Sequence, residues 1–450
     1  MNEKIINELK HKKVAILGFG MEGISTYNFI RKYSNMPLTI IDKNDVYEKN
    51  KELLKDDANL SFIVGENYLK NLEDFDLIIK SPGVVLKDID TSSLQITSQL
   101  ELMLKYYRNQ TIGVTGTKGK STVVSLMYKI LEDQGLDVHL LGNIGVPIFD
   151  EIESFTDKTI IVVEMSALQL EFTDVSPHIA VIINLFEEHL DHSGTVKHYH
   201  ENKLNIFKYQ TKEDYAIYCS DIEPLNSYID DKYLAHQYRI QLNNKNINLQ
   251  TAYLYKDMTY LDNQELYNPN DKRKLIGDHN LRNIMIVLTI SKIMELDMAK
   301  AIKSVNEFKP LAHRLEYVGT YNGILYYDDA IATIPNATIN AVEALKKVNT
   351  LIFGGLDRGI NYQELIDYLD SGKVQNVICM PTTGYKIGKK IKNKDVNVYY
   401  AETMAEAVNM AKKVTLKDTI CLLSPAAASY DYYKNFQEKG NAYQSFVKEK

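Results

Sequence analysis

The stretch that decides the fold of this chain is GVTGTKGKSTVVSL, residues 113–126. It reads as the end of a strand, a glycine-rich loop and the start of an apolar helix. The usual phosphate-loop pattern, Gly-x-x-x-x-Gly-Lys-Ser/Thr, is incomplete, because Val114 stands five positions before Gly119. Phosphate binding is still possible without the missing glycine, because the loop amides and the Lys120 ammonium can neutralise a triphosphate and the Ser121 hydroxyl can reach Mg²⁺. The stretch therefore favours an ATP site over a flexible loop with an exposed lysine.

A parallel sheet is predicted around this loop from four apolar segments in series, TIGVTG, VHLLG, TIIVVEMS and IAVIINL. In the third segment, Glu164 follows four apolar strand residues. Because the carboxyl ends of parallel strands face the ligand crevice, this carboxylate is placed to bind magnesium opposite the phosphate loop. Taken by itself, Glu164 can equally be a surface carboxylate. The polar segment from about 220 to 275 suggests a small antiparallel excursion.

Five of the ten histidines lie between residues 178 and 200. His189 follows a buried strand by a few residues, and a helix capped by Ser193 or Thr195 is predicted directly afterwards. On that helix the apolar spacing places Lys203 on the buried face. Such a lysine usually extends to solvent, but a desolvated lysine has more free amine, which can react with CO₂ or act as a nucleophile. Both interpretations stay open.

The first hundred residues alternate strand-like and helix-like stretches, which predicts a parallel sheet with helices on both faces. Between the first strand and the first long helix lies a G-x-G-x-x-G motif, residues 18–23, and Asp42 ends the next strand. Amides of such a turn can bind a diphosphate, and the acid can bind a ribose. A nicotinamide dinucleotide is the obvious ligand, but the motif does not name it. A tight strand-to-helix turn without a ligand is the structural alternative.

Length and pattern together predict three domains. We expect an α/β fold with a Rossmann-like N-terminal domain over 1–107 and a central phosphate-loop ATPase domain with a mainly parallel sheet over 108–309. A second Rossmann-like domain is expected over 310–450, from the segments ILYYDDA, TLIFGG, NVICMP and TICLLSP. The stretch SLQITSQLELMLKYYRNQ, residues 93–110, reads as the helix that closes the first domain.

Composition excludes several classes of protein. The formal charge of −7 argues against general nucleic-acid binding, which needs a basic face. Cys219, Cys379 and Cys421 are far apart, which disfavours a disulfide framework or a zinc site. No secretory signal and no run of ~18 to 20 apolar residues is present. We therefore expect a cytoplasmic protein without membrane contact and, in the absence of a heptad or exposed apolar stripe, a monomer.

Two short motifs flank a predicted linker at Pro310. GDHNLRN, residues 277–283, opens a helix with Asn280 in its first turn, and AHRLEYV places Arg314 just after the linker. Helix capping explains the asparagine as well as ligand contact does. Arg314, at a domain junction, is a candidate clamp for phosphoryl oxygens.

Together these residues resemble the Mur ligase family, the ATP-dependent amide-forming enzymes of peptidoglycan synthesis, over essentially the whole chain. The phosphate loop, Glu164, His189, Lys203, HNLRN and HRLE occur in the family's order and spacing. The stretch LSPAAASYDYYKNFQEKGNAY, residues 423–443, looks like the C-terminal signature of its glutamate-adding members. The resemblance implies addition of D-glutamate to UDP-N-acetylmuramoyl-L-alanine through an acyl phosphate. L-glutamate or another acceptor amino acid is the open alternative.

The resemblance also implies a role for each matching residue. ATP is expected to contact Gly116, Thr117, Lys118, Gly119, Lys120, Ser121, Thr122, Asn280, Arg314 and Asp329. Two Mg²⁺ ions are expected on Ser121, Glu164, His189 and a carbamylated Lys203. The UDP substrate is expected to contact Gly18, Gly20, Gly23, Asp42, Ser81, Pro82, Gly83 and Asn143. The incoming glutamate is expected to contact Thr333, Arg358, Ser429 and Phe436. Catalysis is expected to depend on Lys120, His189, Lys203 and Arg314.

The chain departs from the family pattern at three places. Lys118 stands where the family often has Asn, and EMSALQLEF replaces a more usual Leu-Ser-Ser-Phe. Ile331 stands where the motif Asp-Ser-Lys-Ala-Thr has a lysine near the acceptor amino acid, and Arg358 can supply one cation there. The identity and handedness of the accepted amino acid are therefore the most open part of the interpretation.

Four rival functions are open, and three of them are weaker. A folylpolyglutamate synthase normally begins with its ATPase domain, whereas about a hundred residues precede Gly113 here. A sister Mur ligase stays a rival. A nicotinamide-dependent dehydrogenase leaves the Lys120 loop unexplained. A catalytically inactive homologue that binds a UDP-sugar is disfavoured by the intact Lys120, Glu164, His189 and Lys203.

Overall fold

Three β-sheets organise the part of the chain that the structure describes. The structure, a computed structural model, describes residues 2–86, 88–142, 147–186, 195–229, 233–243, 250–309, 312–357, 362–429 and 432–449. The chain divides into two compact units, Met1–Pro269 with Asn283–Val305 and Asn270–Arg282 with Asn306–Lys450. The first unit contains two of the sheets and the second unit contains the third.

The first sheet is parallel throughout, with the strand order β3-β2-β1-β4-β5. Its strands are β1 (Val14–Leu17), β2 (Leu38–Asp42), β3 (Leu60–Val64), β4 (Leu77–Lys80) and β5 (Ile96–Thr97). Its helices are α1 (Asn2–Leu9), α2 (Met21–Tyr33), α3 (Lys51–Leu54) and α4 (Gln99–Tyr107). The chain runs outward from β1 in one direction and returns through β4 in the other. Such a switch point opens a crevice at the carboxyl ends of β1 and β4.

The second sheet has the order β14-β13-β12-β11-β10-β9-β6-β8-β7. Its strands are β6 (Thr111–Thr115), β7 (Val138–Gly142), β8 (Ile160–Glu164), β9 (Ile179–Ile182), β10 (Tyr215–Cys219), β11 (His236–Gln241), β12 (Thr251–Tyr255), β13 (Met258–Leu261) and β14 (Gln264–Tyr267). Neighbouring strands pair in parallel from the β7 edge of the sheet as far as β12. The described pairs β12–β13 and β13–β14 are antiparallel. The predicted antiparallel excursion is therefore confirmed, at one edge of this sheet.

Seven helices of the described chain accompany the second sheet. They are α5 (Lys120–Asp133), α6 (Ile148–Glu151), α7 (Ala167–Leu170), α8 (Val196–Lys208), α9 (Leu225–Tyr228), α10 (Asp278–Ile293) and α11 (Met298–Glu307). Short 3-10 helices occur at Glu48–Asn50, Leu72–Asp74, Arg108–Gln110 and Ile152–Ser154. The central strands β6 and β9 are buried along their whole length, as expected for parallel strands covered on both faces.

The third sheet has the order β15-β16-β20-β17-β18-β19, with only β15 antiparallel. Its strands are β15 (Glu316–Tyr321), β16 (Ile324–Asp328), β17 (Val348–Phe353), β18 (Asn376–Cys379), β19 (Asn397–Tyr400) and β20 (Ile420–Leu423). Its helices are α12 (Pro335–Leu345), α13 (Gln363–Asp370), α14 (Thr383–Gly388), α15 (Met404–Val414) and α16 (Phe436–Lys448). Leu351 and Phe353 of β17 enter one apolar cluster and Ile352 enters another, so both faces of the sheet are covered.

The predicted α/β fold is confirmed, with one correction in the first sheet. The stretch 93–110 does not begin as a helix, because Ile96–Thr97 pairs with β4 as an edge strand. The helix starts only at Gln99, and Ser98 caps it by accepting a hydrogen bond from the Glu101 amide. The domain boundaries after residues 107 and 309 stay predictions. Among the described helices, none is long and apolar enough to cross a membrane.

The turn after β1 generates a stability prediction. Gly18 has φ +87°, and a methyl group at Gly23 would collide with the Gly18 carbonyl oxygen, whereas a methyl group at Gly20 would have no atom within 4 Å. We expect Gly23→Ala to lower the free energy of unfolding by about 1–3 kcal/mol, the usual cost of overpacking. Gly20→Ala is the matched control and should melt close to wild type. Equal melting temperatures for the two variants would contradict this packing.

Candidate functional site

Two turns at the switch point of the first sheet hydrogen bond to each other. Ser81, directly after β4, donates from Oγ to the Gly18 carbonyl oxygen at 2.8 Å. Asp42, at the end of β2, accepts a hydrogen bond from the Phe19 amide at 2.8 Å. Gly20 caps α2 in open surroundings. Backbone atoms and one helix N-terminus therefore border the crevice, which suits a diphosphate ligand.

The structure brings together most of the residues predicted for the UDP substrate. They are Gly18, Gly20, Gly23, Asp42, Ser81, Pro82 and Gly83. Gly23 packs against the Gly18 backbone, so this position needs glycine because a side chain would not fit there. Asn143 lies outside the described residues.

The phosphate loop, residues 116–119, is held by an asparagine that the sequence analysis missed. Asn184 follows β9, and its Oδ1 accepts hydrogen bonds from the Thr117 amide at 3.0 Å and the Lys118 amide at 2.9 Å. Its Nδ2 donates to the Lys118 carbonyl oxygen at 3.0 Å. A polar residue at the end of the apolar run IAVII was the available signal. Asn184 holds the loop from the end of β9, which lies beside β6 in the sheet. Only the sheet order shows that these two strands are neighbours.

Two lysines converge on one oxygen of this loop. Lys120 donates from Nζ to the Gly116 carbonyl oxygen at 2.8 Å, and Lys203 donates to the same oxygen at 3.0 Å. Lys203 is only 1% exposed, so the prediction that it points inward is confirmed. The Lys120 ammonium and the amides of the loop create a local preference for an anion, although the whole chain is acidic. This arrangement is suited to a triphosphate.

Oxygen donors surround the loop at the carboxyl edge of the second sheet. Glu164 is buried at the end of β8, in register with Val114 of the adjacent strand β6. Ser121 and Thr122 occupy the first turn of α5, and the buried Thr122 hydroxyl has no hydrogen-bond partner among the described residues. Carboxylate and hydroxyl oxygens are the ligands that Mg²⁺ prefers, so the donor set fits this ion. His189, the predicted further ligand, lies outside the described residues.

Helix α8 carries Lys203 on its buried face, as the spacing predicted. Thr195 caps the helix by accepting a hydrogen bond from the His198 amide, which agrees with one of the two predicted caps. His200 is buried on the same face, and burial together with the charge of Lys203 lowers its pKa. His200 is therefore a neutral, packed histidine.

In the second unit, Arg314 lies in a tight turn that ends before β15. Its neighbours His313 and Leu315 both have positive φ, +61° and +46°, which is unfavourable for side chains of their size. Hydrogen bonds hold the turn, because His313 Nδ1 lies 2.7 Å from Asp328 Oδ2 and the Leu315 amide donates to Asp329 at 3.2 Å. Strain with such supports is typical of functional turns.

Asp329 is a buried acid with an unusual proton affinity. Its Oδ2 accepts a hydrogen bond from Ser424 at 2.9 Å. Burial raises its pKa to about 7, against the opposing effects of Ser424, Arg314 and the Leu315 amide. His279 has the opposite shift, since burial and the positive charge of Arg314 lower its pKa to about 4. Near neutral pH, His279 is therefore uncharged beside Arg314.

The remaining predicted residues of the second unit occupy distinct surroundings. Asn280 donates from Nδ2 to the Ile276 carbonyl oxygen at 2.8 Å, so part of its amide serves the chain itself. Ser429 is buried, and its hydroxyl has no hydrogen-bond partner among the described residues. The Phe436 ring lies edge-on to the His313 ring at 6.2 Å. Thr333 is half-buried in the turn before α12, and Arg358 lies outside the described residues.

Three family models match successive parts of the chain. Residues 12–99 match the Mur ligase MurD-like N-terminal domain, 114–291 the Mur ligase middle domain, and 313–427 the Mur ligase glutamate ligase domain. The chain belongs to the Mur ligase family.

Relatives and solved structures cover almost the whole chain. A UDP-N-acetylmuramoylalanine--D-glutamate ligase from Clostridium kluyveri is 32% identical over 98% of this chain and 97% of its own length. One of the same name from Clostridioides difficile is 32% identical, with coverage of 98% and 99%. The structure of a MurF ligase from Thermotoga maritima in complex with ADP superposes with a TM-score of 0.62 at 15% identity, covering 98% of this chain and 95% of that chain. The latter likeness supports the fold.

The buried acid Asp329 generates a pH prediction. Because its pKa rises from 3.8 to about 7 on folding, the native state binds the proton more tightly than the unfolded state. The contribution of Asp329 to stability is therefore lost as pH rises from about 4 to about 7. Asp329→Asn should remove this loss, so that the variant gains up to about 4 kcal/mol on wild type between these pH values. Melting temperatures across that range test it, and a constant difference between the two proteins would contradict it.

Proposed function

We propose that this protein catalyses ATP-dependent addition of D-glutamate to UDP-N-acetylmuramoyl-L-alanine in peptidoglycan precursor synthesis. The observation that carries the proposal is the convergence of Lys120 and Lys203 on the Gly116 carbonyl oxygen, with the buried Glu164 at the end of the strand adjacent to β6. Full-length similarity to D-glutamate ligases, at 32% identity, supports the choice of substrates. The chain is then an acid–amino-acid ligase that acts in cell-wall synthesis and hence in cell shape and division.

The proposed reaction uses ATP to activate a carboxylate. The alanyl carboxylate attacks the γ-phosphorus, ADP leaves, and an acyl phosphate forms. The glutamate amine then attacks the acyl carbon, loses a proton, and phosphate leaves through a tetrahedral intermediate. Lys120 orients the phosphates, and Arg314 is proposed to contact the γ-phosphate. Thr117 and Lys118 of the loop and Thr122 of α5 are also proposed to contact ATP, as are Asn280 and Asp329.

Two magnesium ions are part of the proposal. Ser121 and Glu164 would hold one, and His189 with a carbamylated Lys203 would hold the other. When bound, the ions would offset the negative charge that gathers on the phosphoryl group. Lys203 is buried beside Lys120, and a buried lysine that has lost its proton presents a free amine. Its free amine can attack CO₂, form a C–N bond and release a proton, which leaves a carbamate.

The proposed glutamate site belongs to the second unit. Ser429 offers a buried hydroxyl that has no hydrogen-bond partner among the described residues, as expected of a group that binds a ligand. Phe436, Thr333 and Arg358 are proposed to line the same site. Ile331 supplies no charge, so Arg358 is proposed as the cation that binds a glutamate carboxylate. We also propose a cytoplasmic monomer that binds neither nucleic acid nor membrane, with domains over 1–107, 108–309 and 310–450.

Phosphate release tests the proposed reaction. Purified protein should release phosphate from ATP in equal amount to amide product when given Mg²⁺, UDP-N-acetylmuramoyl-L-alanine and D-glutamate. L-glutamate should react at least tenfold more slowly, and omission of the amino acid should abolish net turnover. Faster reaction with L-glutamate would reassign the acceptor. No ATP turnover with either enantiomer would refute the ligase.

The carbamate has a separate test. Lys203→Ala should reduce turnover by at least a hundredfold, because it removes a carboxylate that holds a metal ion, and added acetate or formate should restore part of it. Lys197→Ala, at an exposed position of the same helix, is the matched control and should keep wild-type turnover. Unimpaired turnover of Lys203→Ala would remove the carbamate from the mechanism.

A further inference from the structure

A seven-residue segment of the first unit contacts both the glycine turn of the first sheet and helix α8. This bridging segment, residues 166–172, begins two residues after Glu164. Its Gln169 donates a hydrogen bond to the Glu22 carboxylate, in the glycine turn, at 3.1 Å. Its Phe172 packs against the apolar cluster on one face of the first sheet. The bridging segment is therefore attached to the first sheet although it follows a strand of the second.

A buried lysine marks this attachment. Lys80 is the last residue of β4, immediately before Ser81, and its side chain is 2% exposed. Its Nζ lies 3.8 Å from Glu171 Oε2 of the bridging segment and has no hydrogen-bond partner among the described residues. Burial lowers the pKa of Lys80, opposed by the charges of Glu171 and Glu22, and burial raises the pKa of Glu22. The buried Lys80 thus interacts with the charges of two carboxylates, Glu171 and Glu22.

The other side of the bridging segment is attached to helix α8. Asn205 donates from Nδ2 to the Leu170 carbonyl oxygen at 2.9 Å. His198 Nε2 lies 3.4 Å from the second oxygen of Glu171. The same helix carries Lys203, which donates to the phosphate loop. The backbone from Ser81 to Lys80, the contacts of Glu171 and Leu170 with α8, and the hydrogen bond of Lys203 therefore connect the turn at Ser81 to the phosphate loop.

Buried ion pairs contribute little stability compared with apolar residues of the same shape, so stability does not explain this arrangement, and we look for its reason in the geometry that it fixes. A ligand that fixes the turns at Gly18 and Ser81 also fixes Lys80 and, through Glu171, the position of α8. Coupling between two sites is reciprocal, so nucleotide on the phosphate loop must then favour the ligand in the crevice by the same factor.

We infer that Lys80, Glu22 and Glu171 are positioning residues that couple binding of the UDP substrate in the crevice to binding of nucleotide at the phosphate loop. This inference rests on the proposed function, because it takes its two ligands from there. None of the three residues is required to touch a reacting atom.

The test compares affinities with and without the second ligand. The affinity of the wild-type protein for UDP-N-acetylmuramoyl-L-alanine should rise at least fivefold when a non-hydrolysable ATP analogue and Mg²⁺ are present, within the usual range of allosteric coupling. In the triple variant Glu22→Gln, Lys80→Met, Glu171→Gln, all three charges are removed, so that none stays buried and unpaired. Its affinity ratio should fall to within twofold of one, while each ligand still binds alone. Calorimetric titration measures every value.

A matched control is available in the same unit. Lys32 of α2 pairs with Glu153, and this ion pair is exposed, at 59% and 35% of the two side chains. Lys32→Met also removes an ion pair between α2 and a residue beyond β6. Because this pair is exposed and does not involve the bridging segment, the variant should keep the wild-type affinity ratio. Melting temperatures separate loss of coupling from loss of fold. If the triple variant does not fold, Glu171→Gln alone serves in its place.

The outcomes distinguish the inference from the proposed function. A folded triple variant with the wild-type ratio would overturn the positioning role and leave the ligase intact. A wild-type protein that binds both ligands with an affinity ratio of one would also overturn the positioning role and leave the ligase intact. A wild-type protein that binds no UDP-N-acetylmuramoyl-L-alanine at all would count against the proposed function, and the inference would fall with it.

Discussion

One carbonyl oxygen, that of Gly116, accepts hydrogen bonds from two lysine side chains, and the first unit is built so that both can reach it. Lys120 comes from the first turn of the helix after the loop, and Lys203 comes from a helix more than eighty residues later in the chain. The Lys120 ammonium and the amides of the loop favour an anion at this place. The site is therefore arranged for a phosphate chain, and the acidic balance of the whole protein does not oppose it.

Parallel sheets explain why the candidate residues collect at strand ends. Each strand of a parallel sheet leads into a loop at the same edge, so residues distant in sequence become neighbours there. Glu164 and Asn184 follow strands on either side of β6, which leads into the phosphate loop. The first sheet repeats this arrangement with Gly18 and Ser81 at its switch point. The bridging segment then joins one such edge to the other.

Local sequence patterns predicted the strands, loops and helices better than the long-range contacts that hold them in place. The strand-loop-helix at 113–126 and the alternating segments of all three sheets were recognisable, because apolar runs between glycine turns have few other solutions. The short strand Ile96–Thr97 was mistaken for helix, since two residues carry no periodicity and only pairing with β4 makes them a strand. Asn184 was missed because a single polar residue after a strand has no local signature of the loop that it holds.

The sequence by itself determined the α/β class, the phosphate loop and the inward direction of Lys203, since spacing along one strand or helix defines each of them. Only the tertiary structure decided which groups meet. The raised pKa of Asp329, the strained turn held by Asp328 and the buried Lys80 with its two carboxylates all depend on partners far away in the chain. Burial and charge proximity are properties of three-dimensional distance, and a linear pattern records distance only within one element.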